Sequence, residues 1–175
     1  MSFEKSLKKP KVVAKYALAV RVFHWVGALL ILLAFFAADL NDDYIGLHKS
    51  IGASFLIWTI LRIVTRFVTK TPAYVSAPAW QNMVAHLTHL ALYVAMLAMP
   101  ITGILMSMYG GYGVSVFGLF ELTAIVGVDR DMAKLMNWWH TEFVWSAMCI
   151  LIALHIGAAL YHQFVIKDNL IARMR

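Results

Sequence analysis

Cysteine occurs once in this chain, at Cys149, in the middle of an apolar run. A single thiol excludes an intramolecular disulfide and the C-x-x-C-H attachment of a covalent c-type haem. Its bland role, a small core hydrophobe, is the expected one. Charge is scarce too: fifteen Lys and Arg and nine Asp and Glu among 175 residues, a net charge of +6. The basic residues are dispersed around long apolar runs and form no stripe on a soluble face, so no nucleic-acid partner is expected. A Walker loop, a dinucleotide-binding glycine pattern and an H-E-x-x-H pair are all missing. No internal repeat is evident.

What the chain has in abundance is apolar length. Hydrophobic residues make up 62% of it, well above the share in soluble domains. Crossing about 30 Å of hydrocarbon takes roughly 20 mainly apolar residues, and four stretches qualify, approximately 17–38, 48–68, 84–107 and 137–164. The first follows a basic leader but is too long for a signal peptide and lacks a clear cleavage site, so it reads as a retained helix. An acidic turn, "DLNDDY", follows it, and Pro72 and Pro78 make the second connection a non-helical loop. Pro100 and Gly103 in the third stretch can bend that helix where a neighbour or cofactor needs room. The 30 or so residues between the third and fourth spans are too glycine-rich for a fifth span, and a short interfacial helix is expected there.

Arg62, Arg66 and Lys70, the leader and the tail "KDNLIARMR" fall on one side of this layout, while Asp39, Asp42, Asp43, Glu121, Asp129 and Asp131 fall on the other. The positive-inside rule then makes both termini cytoplasmic and the 39–47 and 108–136 loops external. The expected fold is an all-α, transmembrane up-down four-helix bundle, with residues 1–15 a basic cytoplasmic leader and 16–175 a single domain. The interior of such a bundle is the natural place for a cofactor.

Seven histidines sort by depth on this topology. His48 and His140 form the external layer, and His24, His86, His89, His155 and His162 the cytoplasmic one. His140 and His155 are fifteen positions apart, about 22 Å of helical rise and roughly 60° of azimuth. Two imidazoles at opposite depths could each serve a separate planar cofactor, and haem takes neutral imidazoles from facing helices in an apolar surround. The depth argument pairs His48 with His140, and His155 with His24 or its rival His89. Interfacial or supporting roles are expected for His86, His89 and His162. Zinc or copper would also accept histidines, but their ligands usually cluster, often with carboxylate or thiolate help.

Small residues near the candidate ligands, Gly27, Gly52 and Gly157, would let a flat macrocycle approach the backbone, although plain helix packing uses the same residues. Haem propionates want basic partners near the membrane surface. Arg21, Arg62 and Arg66 are candidates for the cytoplasmic haem and Lys49 for the external one, with snorkelling topology charges as the alternative. The tryptophans read mainly as an interfacial belt and the methionines as packing.

The segments "RVFHWVGALL", "LHKSIGASFLIWTILRIVTR", "TPAY", "AHLTHLALYVAMLAMPITG" and "WWHTEFVWSAMCILIALHIGAALYHQFVIKDNLIARM" together resemble the bacterial cytochrome b561 family of four-helix di-haem membrane proteins, over about residues 16–175. Some of its members are superoxide:ubiquinone oxidoreductases. The resemblance implies two non-covalent b-type haems, one ligated by His24 and His155 and the other by His48 and His140. It also includes both "AHLTHLALY" histidines, and the fifteen-residue step is one longer than the fourteen common in di-haem helices.

The expected function is electron transfer between an external donor, superoxide among the candidates, and membrane ubiquinone, in the bacterial inner membrane. The alternative is a haem-bearing membrane anchor subunit of a peripheral dehydrogenase or hydrogenase, which needs a redox partner protein. A haem-free transporter or structural protein would use the same histidines for packing alone. Whether the chain is itself an oxidoreductase enzyme depends on which of these holds.

Overall fold

The computed structural model describes residues 14–40, 44–72 and 78–175. Most of the basic leader, Asp42 and Asp43 of the acidic turn, and part of "TPAY" lie outside the described residues. Helices α1 (Leu18–Leu40), α2 (Ile45–Val68), α3 (Ala79–Tyr109) and α4 (Arg130–Ile166) are each long and apolar enough to cross a membrane. They match the four expected spans, with two differences at the starts.

Helix α3 begins at Ala79, directly behind Pro78, because proline is well tolerated at a helix start but not inside. Helix α4 begins at Arg130 rather than near 137. The Asp129 carboxylate caps it, accepting from the backbone N–H groups of Asp131 and Met132 at 3.0 Å each. Its first turns, "RDMAKLMNW", are amphipathic and charged, so a search for apolar length passes over them.

The bundle is inside-out relative to a soluble domain. Large apolar side chains such as Leu29, Leu33, Ile57, Ile60, Leu90 and Ile150 are exposed on the helix flanks. Lipid supplies no hydrophobic drive between helices, so cohesion comes from close packing and internal hydrogen bonds. Helix α2 packs on both α1 and α3, and α3 packs on α4, whereas α1 and α4 barely touch along their backbones. The start of α1 and the C-terminus lie at one end of the bundle. A short 3-10 helix, Leu170–Met174, brings the C-terminus back to α1, where the Tyr16 N–H donates to the Arg173 carbonyl and the Trp25 indole N–H to that of Met174.

The connection after α3 holds an unexpected two-stranded antiparallel hairpin, β1 (Val114–Val116) and β2 (Phe120–Leu122), and its helical part is the amphipathic Arg130–Trp138 segment, which runs on into α4. Val114 and Val116 are buried against Ala53 of α2, with Ile104 and Leu122 beside them. Three alternating positions per strand are too short a pattern to distinguish from a glycine-rich loop.

Candidate functional site

One face of α2 serves both ends of the bundle. His48, Gly52, Phe55, Thr59, Arg62 and Arg66 are spaced by fours and threes, which aligns them along a single helical stripe. Phe55 and Thr59 on that stripe are buried.

At one end His48 meets His140 of α4, ring centres 6.0 Å apart and planes nearly perpendicular. The His48 Nδ1–H donates to the Ala34 carbonyl at 2.8 Å. The His140 Nδ1–H donates to the Met99 carbonyl at 2.8 Å, with the Thr102 hydroxyl 3.2 Å away. A neutral imidazole that donates through Nδ1 keeps Nε2 unprotonated, the state a metal ligand requires. A cavity of about 440 Å³ opens beside the pair, lined by Phe35, Gly52, Pro100, Gly103, Asn137 and Trp145 among others. Nothing stands within 4 Å of where a Gly52 Cβ would lie, so that flank is open to a flat group. Gly103 has a different role. A Cβ there would sit 2.9 Å from His140 Cε1, so the missing side chain is what admits the imidazole against α3.

At the other end, near the C-terminus, His155 of α4 lies close to two imidazoles. Its ring centre is 6.1 Å from that of His24 and 5.4 Å from that of His89. Arg62 donates to His24 Nδ1 at 3.0 Å, and its guanidinium also stands over the Tyr93 ring at 5.8 Å. Gly27 makes ordinary contacts with Trp58 and Arg62, whereas a Gly157 Cβ would meet nothing within 4 Å.

Two imidazoles bound to one metal through facing nitrogens put their ring centres roughly 6 Å apart, given metal–nitrogen bonds of about 2 Å and about 1 Å from nitrogen to ring centre. The His48–His140 and His24–His155 pairs meet that spacing; His89–His155 falls short of it. Among the described residues no group of three or more His, Cys, Asp or Glu is arranged to hold a metal ion. The donor set therefore suits a planar cofactor gripped by two imidazoles better than a compact zinc or copper site.

The fifteen-residue step from His140 to His155 has its explanation in the helix itself. Residues Trp139–Val144 form a π-turn, whose wider hydrogen-bond ring absorbs an extra residue. The remainder of α4 continues as if fourteen residues separated the two histidines. Neither hydropathy nor a fixed angle per residue reveals such a bulge.

The four basic candidates are all held by protein groups. Lys49 Nζ donates to the Ser107 hydroxyl at 3.0 Å, lies 5.7 Å from the Tyr112 ring centre, and borders the cavity beside His48. Arg62 contacts His24. Arg66 stacks over Tyr16 and donates to the Thr71 hydroxyl, while Arg21 donates to the Arg175 carbonyl. Of the remaining histidines, His86 donates to the Asn82 carbonyl and His162 to the Asp168 carboxylate at 2.6 Å. His162 thus belongs to the C-terminal turn and not to either imidazole pair.

Four membrane-crossing helices with paired imidazoles at both ends define a class, the helical membrane cytochromes that carry b-type haem. Within it, the sequence profile of prokaryotic cytochrome b561 matches residues 15–175, and the chain belongs to that family. It is 31% identical to cytochrome b561 homolog 2 of Escherichia coli K12, across 91% of this chain and 90% of that one. It is 29% identical to cytochrome b561 homolog 1 of the same organism, over 86% and 91% of the two chains. Against the probable superoxide oxidase CybB of Yersinia pestis the identity is 29%, over 91% and 95%. The protein is a bacterial multi-pass membrane cytochrome of electron transport, and family membership implies b-type haem.

Proposed function

We propose that the chain holds two b-type haems, one between His24 and His155 and one between His48 and His140, and relays electrons between an external donor and membrane ubiquinone. The observation that carries this reading is the presence of two imidazole pairs, 6.1 and 6.0 Å apart, at opposite ends of α4. Bound haem would supply one-electron redox chemistry; the protein supplies orientation, a low-dielectric surround and access.

The carbonyls of Ala34 and Met99 fix the tautomers of His48 and His140. Ligation by His24 through Nε2 requires its Nδ1 to carry the proton. Arg62, a donor only, then turns from His24 to an anionic partner, and a haem propionate is the partner this reading gives it. The four histidines would hold the haems, and electrons would then be exchanged at a haem edge or in a quinone pocket. Lys49, beside His48, gives the external end a fixed positive charge that attracts an anionic donor such as superoxide. The relative named as a probable superoxide oxidase favours that donor over a peripheral dehydrogenase or hydrogenase. The basic leader and tail orient both termini to the cytoplasm.

Haem stoichiometry and redox spectra of the purified protein and of single alanine variants test the assignment. Two haems are expected in the wild type and in His89→Ala, and loss of one in each of the His24, His48, His140 and His155 variants. Undiminished haem after His140→Ala would overturn the external site. Superoxide-driven reduction of ubiquinone by the isolated protein tests the donor, and reduction only when a soluble redox enzyme is added would favour the anchor-subunit role.

A further inference from the structure

The hairpin is attached to the bundle in an unusual way. Val114 and Val116 pack on Ala53, which lies eight residues into α2, about 12 Å along its axis. The hairpin therefore lies beside the first turns of a membrane-crossing helix instead of standing above them. Ser50, itself buried, receives the Phe117 N–H on its hydroxyl at 3.0 Å, and the same hydroxyl lies 3.1 Å from the Ser115 carbonyl and 2.8 Å from that of Gly46. The Leu119 N–H closes the turn on the Val116 carbonyl at 3.0 Å. Backbone groups satisfied in this way are what a segment needs to enter an apolar phase.

The tip itself is apolar. Residues 112–120, "YGVSVFGLF", carry no charge. Phe117 and Gly118 both adopt left-handed backbone, with φ of 52° and 71°. Glycine is at ease there, but a bulky aromatic is not, and the Phe117 ring is nonetheless held outward. Leu119 is 83% exposed, and Phe117 and Phe120 are each more than half exposed. Phe117 and Gly118 of the tip border a shallow pocket together with Gly46 and Leu47, next to exposed Tyr44 and Ile45. Tyr44, Ile45 and Leu47 stand at the start of α2, a helix long and apolar enough to cross a membrane, whose flank exposes Ile57, Ile60, Leu61 and Val64 further along. On the other face of the hairpin stand Ser115 and Glu121, paired across the strands.

We infer that the hairpin tip, Phe117–Phe120, inserts into the lipid leaflet at the His48 end of the bundle, at the boundary between headgroups and acyl chains, while Ser115 and Glu121 face water. Aromatic and aliphatic side chains on a charge-free turn are what that boundary accepts. The tip pins the hairpin laterally, and the hairpin in turn seats Val114 against the cavity beside His48. Lipid is the occupant because the charge-free apolar tip lies beside the first turns of a helix long and apolar enough to cross a membrane, and the Phe117 and Leu119 N–H groups already have partners.

The test labels Leu119→Cys or Glu121→Cys with bimane, each in a Cys149→Ser background that leaves one thiol. The haem-loaded full chain is reconstituted into phosphatidylethanolamine–phosphatidylglycerol vesicles. Quenching by lipids carrying a nitroxide near the headgroup is compared with quenching by aqueous iodide, and the haem spectrum reports that each variant is folded. The Leu119 label should be quenched several-fold more by the lipid nitroxide than by iodide, with the Glu121 label showing the opposite order. A Leu119 label as open to iodide as the Glu121 label would overturn the insertion in favour of a soluble docking surface. Shielding of Leu119 from both quenchers would overturn it in favour of contact between two copies of the chain.

Discussion

Gly103 lies directly beneath the imidazole of His140, so close that a methyl group there would stand 2.9 Å from the ring. The Gly103→Ala variant must therefore move His140, which is held by the Met99 carbonyl, one turn before Gly103 on α3, and faces His48. Overpacking of this kind costs about 1–3 kcal/mol. The expected outcome is selective weakening or loss of the haem assigned to His48 and His140, read as a fall from two haems per chain toward one. Gly46→Ala, where nothing lies within 4 Å, should leave haem content unchanged.

The π-turn at Trp139–Val144 makes one residue of α4 expendable, and its position matters. Deleting Phe143, which is exposed, converts the turn to regular helix and leaves a fourteen-residue step between His140 and His155. Deleting Ile150, also exposed but in regular helix, forces a choice. Either His155 rotates by about 100°, or the π-turn collapses and Met148, only 2% exposed, turns out of the interior. The Phe143 deletion should retain two haems and the Ile150 deletion should not, as measured by pyridine haemochrome content and thermal stability in detergent.

The Ser50 hydroxyl ties α2 to the hairpin through two backbone groups. Ser50→Ala leaves the Phe117 N–H and the Ser115 carbonyl without that partner, a cost of about 1–3 kcal/mol for buried polar groups. Proteolysis or hydrogen exchange should show the hairpin loosened, with the four helices still folded. Ser54→Ala is the control, since its hydroxyl bonds only back to the Ser50 carbonyl one turn earlier.

The four spans were legible because apolar length is a strong, local signal, and the depth of each histidine followed from the span that carries it. Pairing His48 with His140 needed only that depth. His24 and His89 could not be separated by depth, and in the structure both rings stand near His155. The hairpin escaped notice because its strands hold three residues each and its anchor, Ser50, lies more than sixty residues away. The early start of α4 was written in its Asp129 cap, which hydropathy alone does not register. Gly103 stood out as a bend, yet its purpose depends on a ring from another helix, a contact that no single segment encodes.

Arg62 connects the His24 pair to whatever anion approaches it. It donates to His24 Nδ1 and its guanidinium lies over Tyr93, so it has an alternative resting place when His24 takes the proton on Nδ1. A guanidinium beside a haem propionate stabilises the reduced, more negative state of the haem. Removing it should lower the midpoint potential of that haem by an amount on the order of 1 kcal/mol at an effective dielectric of about 20. Arg62→Gln should shift one of the two potentials downward and leave the haem assigned to His48 and His140 unmoved, whereas Arg62→Lys should shift it less because the charge is kept without the planar fork. Spectroelectrochemical titration reads both potentials at once. Equal shifts in the two haems, or none, would show that Arg62 does not act on the His24 pair.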